Sequence, residues 1–163
     1  MTTAVNPKVI DIDTVELVKC AVSASFTGVC GVCVCLNSAG QVALTADAKT
    51  PYGCLAETIS TARTQGADVW IYRYNIGTRL EINTASGAAS AAVGVANKGI
   101  AYDVQLIGTG TSAITYLDLA APGTWAKVID LSAEYEPTKN ATADDPGKCV
   151  VEIQIVQTAA AGA

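Results

Sequence analysis

Apolar and polar positions alternate with a period of two in short pieces along this chain, and Gly, Asn or Pro separates the pieces. That period puts one face of an extended segment in a core and the other in water, so it predicts strands. Ile10 and Ile12 alternate with Asp11 and Asp13. Val69, Ile71 and Arg73 alternate with Trp70, Tyr72 and Tyr74, and Leu80 and Ile82 with Arg79, Glu81 and Asn83. Further strands are predicted at Val29–Leu36, Gln41–Thr45, Gly53–Glu57, Gly99–Leu106, Ala113–Leu119, Trp125–Leu131 and Lys148–Val156. Many short strands at this spacing make a barrel or sandwich.

Turn chemistry agrees with the periodicity. Asn37-Ser38-Ala39-Gly40, Asn75-Ile76-Gly77, Asn97-Lys98-Gly99 and Asp145-Pro146-Gly147 each place Gly or Asn where a positive φ is easily adopted. Helix is expected in two places at most: a short one over Leu55–Thr64, interrupted by β-branched residues, and Ala85–Ala96, which Gly87 and Gly94 oppose. Gly40, Gly53 and Gly66 stand at spacings close to those of Gly87, Gly99 and Gly110. Either this is a pseudo-repeat of two β units, or it is chance in a chain with 14 Gly.

The chain reads as one domain: an N-terminal strand or arm over 1–25, a β-rich core over 26–133, and a polar loop, final strand and tail over 134–163. The loop, Glu134–Lys148, is polar and carries two prolines; it is either a surface insertion or a segment that orders on a partner.

Composition narrows the function. Half of the 163 residues are apolar, mostly Ala, Val and Ile, which suits sheets and is ample for a core. The absence of His removes the commonest general base and metal ligand, so the expectation is no enzyme and no cofactor. A net charge of −5 with no basic cluster is the wrong sign for nucleic acid or an anionic membrane. The first residues, MTTAVNPKVIDID, lack the features of a secretion signal, which points to synthesis in the cytoplasm. Ile82–Asn97 is too weakly apolar to span a membrane.

Cys30-Gly31-Val32-Cys33-Val34-Cys35 is the most conspicuous local pattern. Cys20, Cys54 and Cys149 are isolated in sequence and no His completes a mixed site, so no metal is expected. In a strand, Cys33 and Cys35 take one face, and Cys30 joins Val32, Val34 and Leu36 on the other. Both faces are then apolar, the strand is buried on both sides, and Cys serves as a small hydrophobe. A disulfide is the alternative, opposed by the missing secretion signal. Asp11/Asp13 and Asp144/Asp145 match no calcium loop, and Gly108-Thr109-Gly110-Thr111 lacks the Lys and helix of a phosphate loop.

Trp70, Tyr72 and Tyr74 share one face of their predicted strand, with Arg73 and Arg79 flanking it. Trp125 adds another ring, and Tyr135 lies in the polar loop. Such rings either cap the core or form a subunit interface, where Trp, Tyr and Arg are enriched. Trp70, Tyr72, Tyr74, Arg73, Arg79, Trp125 and Tyr135 are the candidate interface residues.

The run Gly28-Val29-Cys30-Gly31-Val32, the turn Leu36-Asn37-Ser38-Ala39-Gly40-Gln41-Val42 and the Ala/Asp/Thr-rich Leu44–Thr50 are followed by two Gly-led strands, Tyr52–Glu57 and Gly66–Tyr72. From Phe26 to about Asp103 this order resembles the capsid decoration, or cement, proteins of tailed bacteriophages. The resemblance implies a compact β-barrel or β-tulip-like domain. It also implies homotrimers that bind between subunits of the major capsid protein on the virion surface, without an active site. The runner-up reading is a small β carbohydrate-binding or adhesin-type module, with Trp70, Tyr72 and Tyr74 as a sugar-stacking platform.

Overall fold

The computed structural model describes residues 5–46, 49–87, 89–132 and 147–157. In chain order the strands are β1 (Lys8–Val9), β2 (Glu16–Ala21), β3 (Phe26–Gly28), β4 (Cys33–Leu36), β5 (Val42–Leu44), β6 (Gly53–Leu55) and β7 (Ile59–Arg63). They continue with β8 (Asp68–Arg73), β9 (Arg79–Ser86), β10 (Ala89–Ser90), β11 (Ala101–Ile107), β12 (Ile114–Pro122), β13 (Ala126–Leu131) and β14 (Lys148–Ile153). The described residues contain no α-helix, and their only helical pieces are 3-10 turns at Ile12–Thr14, Val95–Asn97 and Gly110–Ser112. The fold is mainly β, as the periodicity predicts.

The larger sheet runs β1-β9-β12-β11-β13-β14, with β10 attached to β9. Because β14 also pairs with β9, the pairings β9-β12-β11-β13-β14 return to their start. Only β9–β12 is parallel in this ring. The second sheet runs β2-β8-β6-β4-β5 with every pairing antiparallel, and one bridge, Val22 to Val42, brings its two edges together. β3 and β7 form a separate pair.

Two apolar clusters fill this frame. The first collects the inward residues of the larger sheet, such as Leu80, Ile82, Val104, Leu117, Val128, Val151 and Ile153, around Tyr74 and Trp125. The second collects Val22, Phe26, Val32, Val34, Val42, Leu55, Val69 and Ile71. Successive residues of β4 and β6 point into different clusters: Cys33 and Cys54 join the first, Val34 and Leu55 the second. The expectation that the Cys-rich strand is buried on both faces therefore holds for its start. Complete burial of each Val or Leu contributes about 1.5–3 kcal/mol.

Several predicted boundaries are corrected. The strand expected over Val29–Leu36 is only β4, because Gly31 turns the chain at φ +89° and donates its N–H to Leu55 O at 2.8 Å. Cys30 is consequently an exposed turn residue and shares no face with Val32 and Val34. The Ile/Asp alternation at 10–13 leads into a 3-10 turn, fixed by Thr14, whose N–H and Oγ1 both donate to Asp11 O. Neither helix forms. Ile59–Arg63 is a strand pairing with β3, and 85–96 contains the end of β9, β10 and the start of a 3-10 turn. The asparagine turn at 37–40 closes the β4–β5 hairpin, with Asn37 N donating to Gln41 O at 2.9 Å.

In both copies of the glycine pattern the Gly-led strand pairs antiparallel with the strand after the last glycine, β6 with β8 and β11 with β12. The match stops there: Gly99 has φ +83° in a turn, whereas Gly53 is a buried strand residue outside the left-handed region. β2, in the expected N-terminal arm, pairs with β8, and β14, the expected final strand, lies between β13 and β9. Lys148 of β14 is buried and ion-paired to Glu81 Oε1 at 3.5 Å.

Glycine is required at position 53 because an added Cβ would run into Tyr72 O and lie 3.0 Å from Arg73 Cα, backbone that cannot give way. Gly53→Ala is expected to destabilise by about 3 kcal/mol or more. Gly40→Ala meets open space and carries only the left-handed penalty at φ +73°, about 1–2 kcal/mol. Urea unfolding midpoints of the two variants check this order.

Candidate functional site

β2 is an edge strand, hydrogen-bonded to β8 on one side. Val22 N donates to Ala67 O at 2.9 Å, one step beyond the register pair Ala21–Asp68. Antiparallel pairs alternate between hydrogen-bonded and non-hydrogen-bonded, so Glu16, Val18 and Cys20 turn their backbone groups to β8. Leu17 and Lys19 turn theirs to the open edge, and Ala21 turns its own toward Val42 at the bridge between the two edges.

Side chains reinforce that edge. Val18 and Cys20 pack on the second cluster, while Leu17 and Lys19 lie opposite Tyr72 and Trp70 on the other face. Leu17 is 52% exposed and Trp70 43%. The Lys19 ammonium sits 5.8 Å from the Trp70 ring centre and 3.1 Å from Asp68 Oδ2. Arg73 pairs with Glu16 at the strand end. Glu57 accepts from the backbone N–H of Trp70 at 2.9 Å and from Arg63 at 3.0 Å. Asn75 Nδ2 donates to Thr14 O at 2.7 Å, which joins the turn holding exposed Ile12 to the turn holding exposed Ile76.

The structure divides the predicted interface residues. Trp70 and Tyr72 share the outer face of β8, though Tyr72 is half-buried against the first cluster. Tyr74 is 1% exposed and Trp125 0%, with ring centres 6.4 Å apart. These two are corrections: they fill the core, because the Tyr74 N–H bonds to Tyr52 O at 3.1 Å in the register of β6 with β8, which keeps Tyr74 on the face of Tyr72, and the first cluster covers that end of the face. The three-ring platform of the carbohydrate reading is lost with Tyr74. Arg73 belongs to the edge, Arg79 is exposed on β9 at 3.8 Å from Asp11, and Tyr135 lies outside the described residues. Leu17 and Ile76 were not singled out by the sequence. Glu16–Ala21 carries apolar residues at both parities, so its alternation is faint.

Two other features hold potentially reactive side chains. A groove of about 350 Å³ is lined by Asn6, Val29, Cys30, Ser112 and Ala113 among others. In the interior, Cys33 Sγ lies 3.5 Å from the Tyr74 hydroxyl. Burial pushes the Cys33 thiol up to about 12, raises Cys54 further, and lifts the Tyr74 hydroxyl well above its usual range. Burial, with Glu81 nearby, also pushes Cys149 to about 12. Among the described residues no group of three or more His, Cys, Asp or Glu could hold a metal.

These shifts fix the alkaline stability. Above pH 9 an unfolded thiol releases its proton while the buried Cys33 and Cys149 thiols keep theirs up to about pH 12. The unfolded state then binds fewer protons, so stability is full below pH 9 and falls as pH rises toward 12, by up to about 1.4 kcal/mol per pH unit for each thiol. Cys33→Ala is expected to flatten that fall in urea titrations across this range. Trp125→Ala should cost about 3–5 kcal/mol, and Trp70→Ala less than about 1 kcal/mol, as read by thermal and urea unfolding.

Compared with protein-family models, with curated proteins and with solved structures, the chain matches none.

Proposed function

We propose that this chain is a capsid decoration protein that binds between subunits of a major capsid protein and holds the shell together without catalysis. The observation that carries the reading is the open edge of β2. Backbone donors and acceptors of Leu17 and Lys19 stand in a row beside the exposed side chains of Leu17 and Trp70. An extended segment of a shell subunit can add to such an edge through main-chain hydrogen bonds, with flanking side chains giving selectivity. Trp at the centre of a contact and Arg at its rim match the composition of protein interfaces. The frame behind the edge suits a clamp, since both faces of the central strands are packed and little can flex. Repetition over a shell multiplies a modest contact by avidity.

The test uses the purified full chain and empty shells assembled from the major capsid protein encoded in the same genome. The chain is expected to co-sediment with the shells at a fixed ratio and to run as a multiple of three in native mass spectrometry. Leu17→Arg combined with Trp70→Ala should weaken shell binding at least about tenfold, with the circular dichroism spectrum unchanged. A strictly monomeric chain that stays at the top of the gradient would refute the proposal.

A further inference from the structure

Cys33 and Cys54 stand directly opposite each other on β4 and β6. Their site in the ladder is of the non-hydrogen-bonded kind. Next to it, Leu55 N donates to Val32 O at 3.0 Å. The Cys33 backbone faces the other way, its N–H donating to Thr115 Oγ1 at 2.9 Å and its carbonyl accepting from Thr45 N at 3.1 Å. Residues paired at such sites have Cα atoms about 4.5 Å apart and side chains on one face. That separation lies at the short end of the range a disulfide tolerates, about 4.4–6.8 Å. Both side chains enter the first apolar cluster, and both adjoin the hydroxyl of Tyr74. No other cysteine has this arrangement: Cys20 opposes Val69, Cys35 opposes Ala43, Cys149 opposes Ile82 and Leu131, and Cys30 sits in an exposed turn.

We propose that Cys33 and Cys54 are a redox-latched pair, joined as a cross-strand disulfide when the chain folds with a small-molecule disulfide present and kept as two thiols when it folds under reducing conditions. In the unfolded chain one cysteine thiolate attacks the S–S bond of oxidised glutathione, forming a mixed disulfide and releasing one glutathione thiolate. The other cysteine thiolate attacks the protein sulfur of that mixed disulfide and releases the second glutathione. The two protein sulfurs lose two electrons, glutathione gains them, and the two cysteine protons end on the released thiolates. After folding the exchange stops in either state, because both sulfurs are enclosed and the buried thiols stay protonated at neutral pH. The bond would tie together the two strands on which both cores are built, and it would do so whether or not the chain decorates a capsid.

The full chain is unfolded in urea and refolded with either oxidised glutathione or dithiothreitol, weighed intact, then unfolded again in urea for alkylation, digested without reduction and mapped by fragmentation mass spectrometry. The oxidised preparation is expected to be two hydrogens lighter through a single Cys33–Cys54 link, with a urea midpoint raised by about 1 M. Chain folded in dithiothreitol and then exposed to oxidised glutathione without urea should keep both thiols. In Cys33→Ala with Cys54→Ala the midpoint should no longer depend on the refolding redox condition. Three results would overturn the proposal: a link between any other pair, six alkylatable thiols after oxidative refolding, or a linked chain that fails to recover the near-ultraviolet circular dichroism of the reduced protein.

Discussion

The structure depends on two short strands being buried on both faces at once. Cys33 of β4 and Cys54 of β6 enter the first apolar cluster while their neighbours Val34 and Leu55 enter the second, so at these positions neither strand has a side that can carry a charge or a large polar group. Space is the second half of the same constraint. β6 lies so close to β8 that only glycine fits at position 53, and cysteine, small and weakly polar, fills the places facing Tyr74 and Trp125. The first cluster thus joins residues of both sheets, and the Tyr74–Trp125 ring pair lies within it.

Placing β4 and β6 at the centre of the second sheet sends β2 and β5 to its edges. The edges touch at one bridge, Val22 to Val42, and along the rest of β2 the backbone stays open. Open strands invite indiscriminate pairing, and a lysine midway along the edge is a common protection against it. Lys19 has that position, held by Asp68 and the Trp70 ring. Its ion pair is exposed on both sides and adds at most about 1 kcal/mol to stability. Its larger effect is to keep the edge solvated.

The interior polar groups follow the same logic of enclosure. Lys148 and Glu81 stand together on the face of β9 and β14 away from the first cluster, and Ser132 Oγ donates to Glu81 Oε2 at 2.7 Å. Losing one partner of a buried ion pair is in general far more damaging than the pair is stabilising. The Trp125 indole N–H is buried without a hydrogen-bond partner among the described residues.

The sequence by itself determined where one face of a strand meets a core. Val69 and Ile71, Leu80 and Ile82, Val128 of β13, and Val151 and Ile153 of β14 lie inward as their alternation requires, and the asparagine turn at 37–40 makes its hairpin. A period of two says which residues share a face, but it names neither the strand that will lie alongside nor what covers the other face. The tertiary structure alone decided that Gly31 breaks the cysteine run, that Cys54 lands opposite Cys33, and that Tyr74 and Trp125 turn inward while Trp70 stays out. It also made an open edge of β2, a segment too evenly apolar for its alternation to show. These outcomes rest on pairings between residues far apart in the chain, and local pattern carries no record of them.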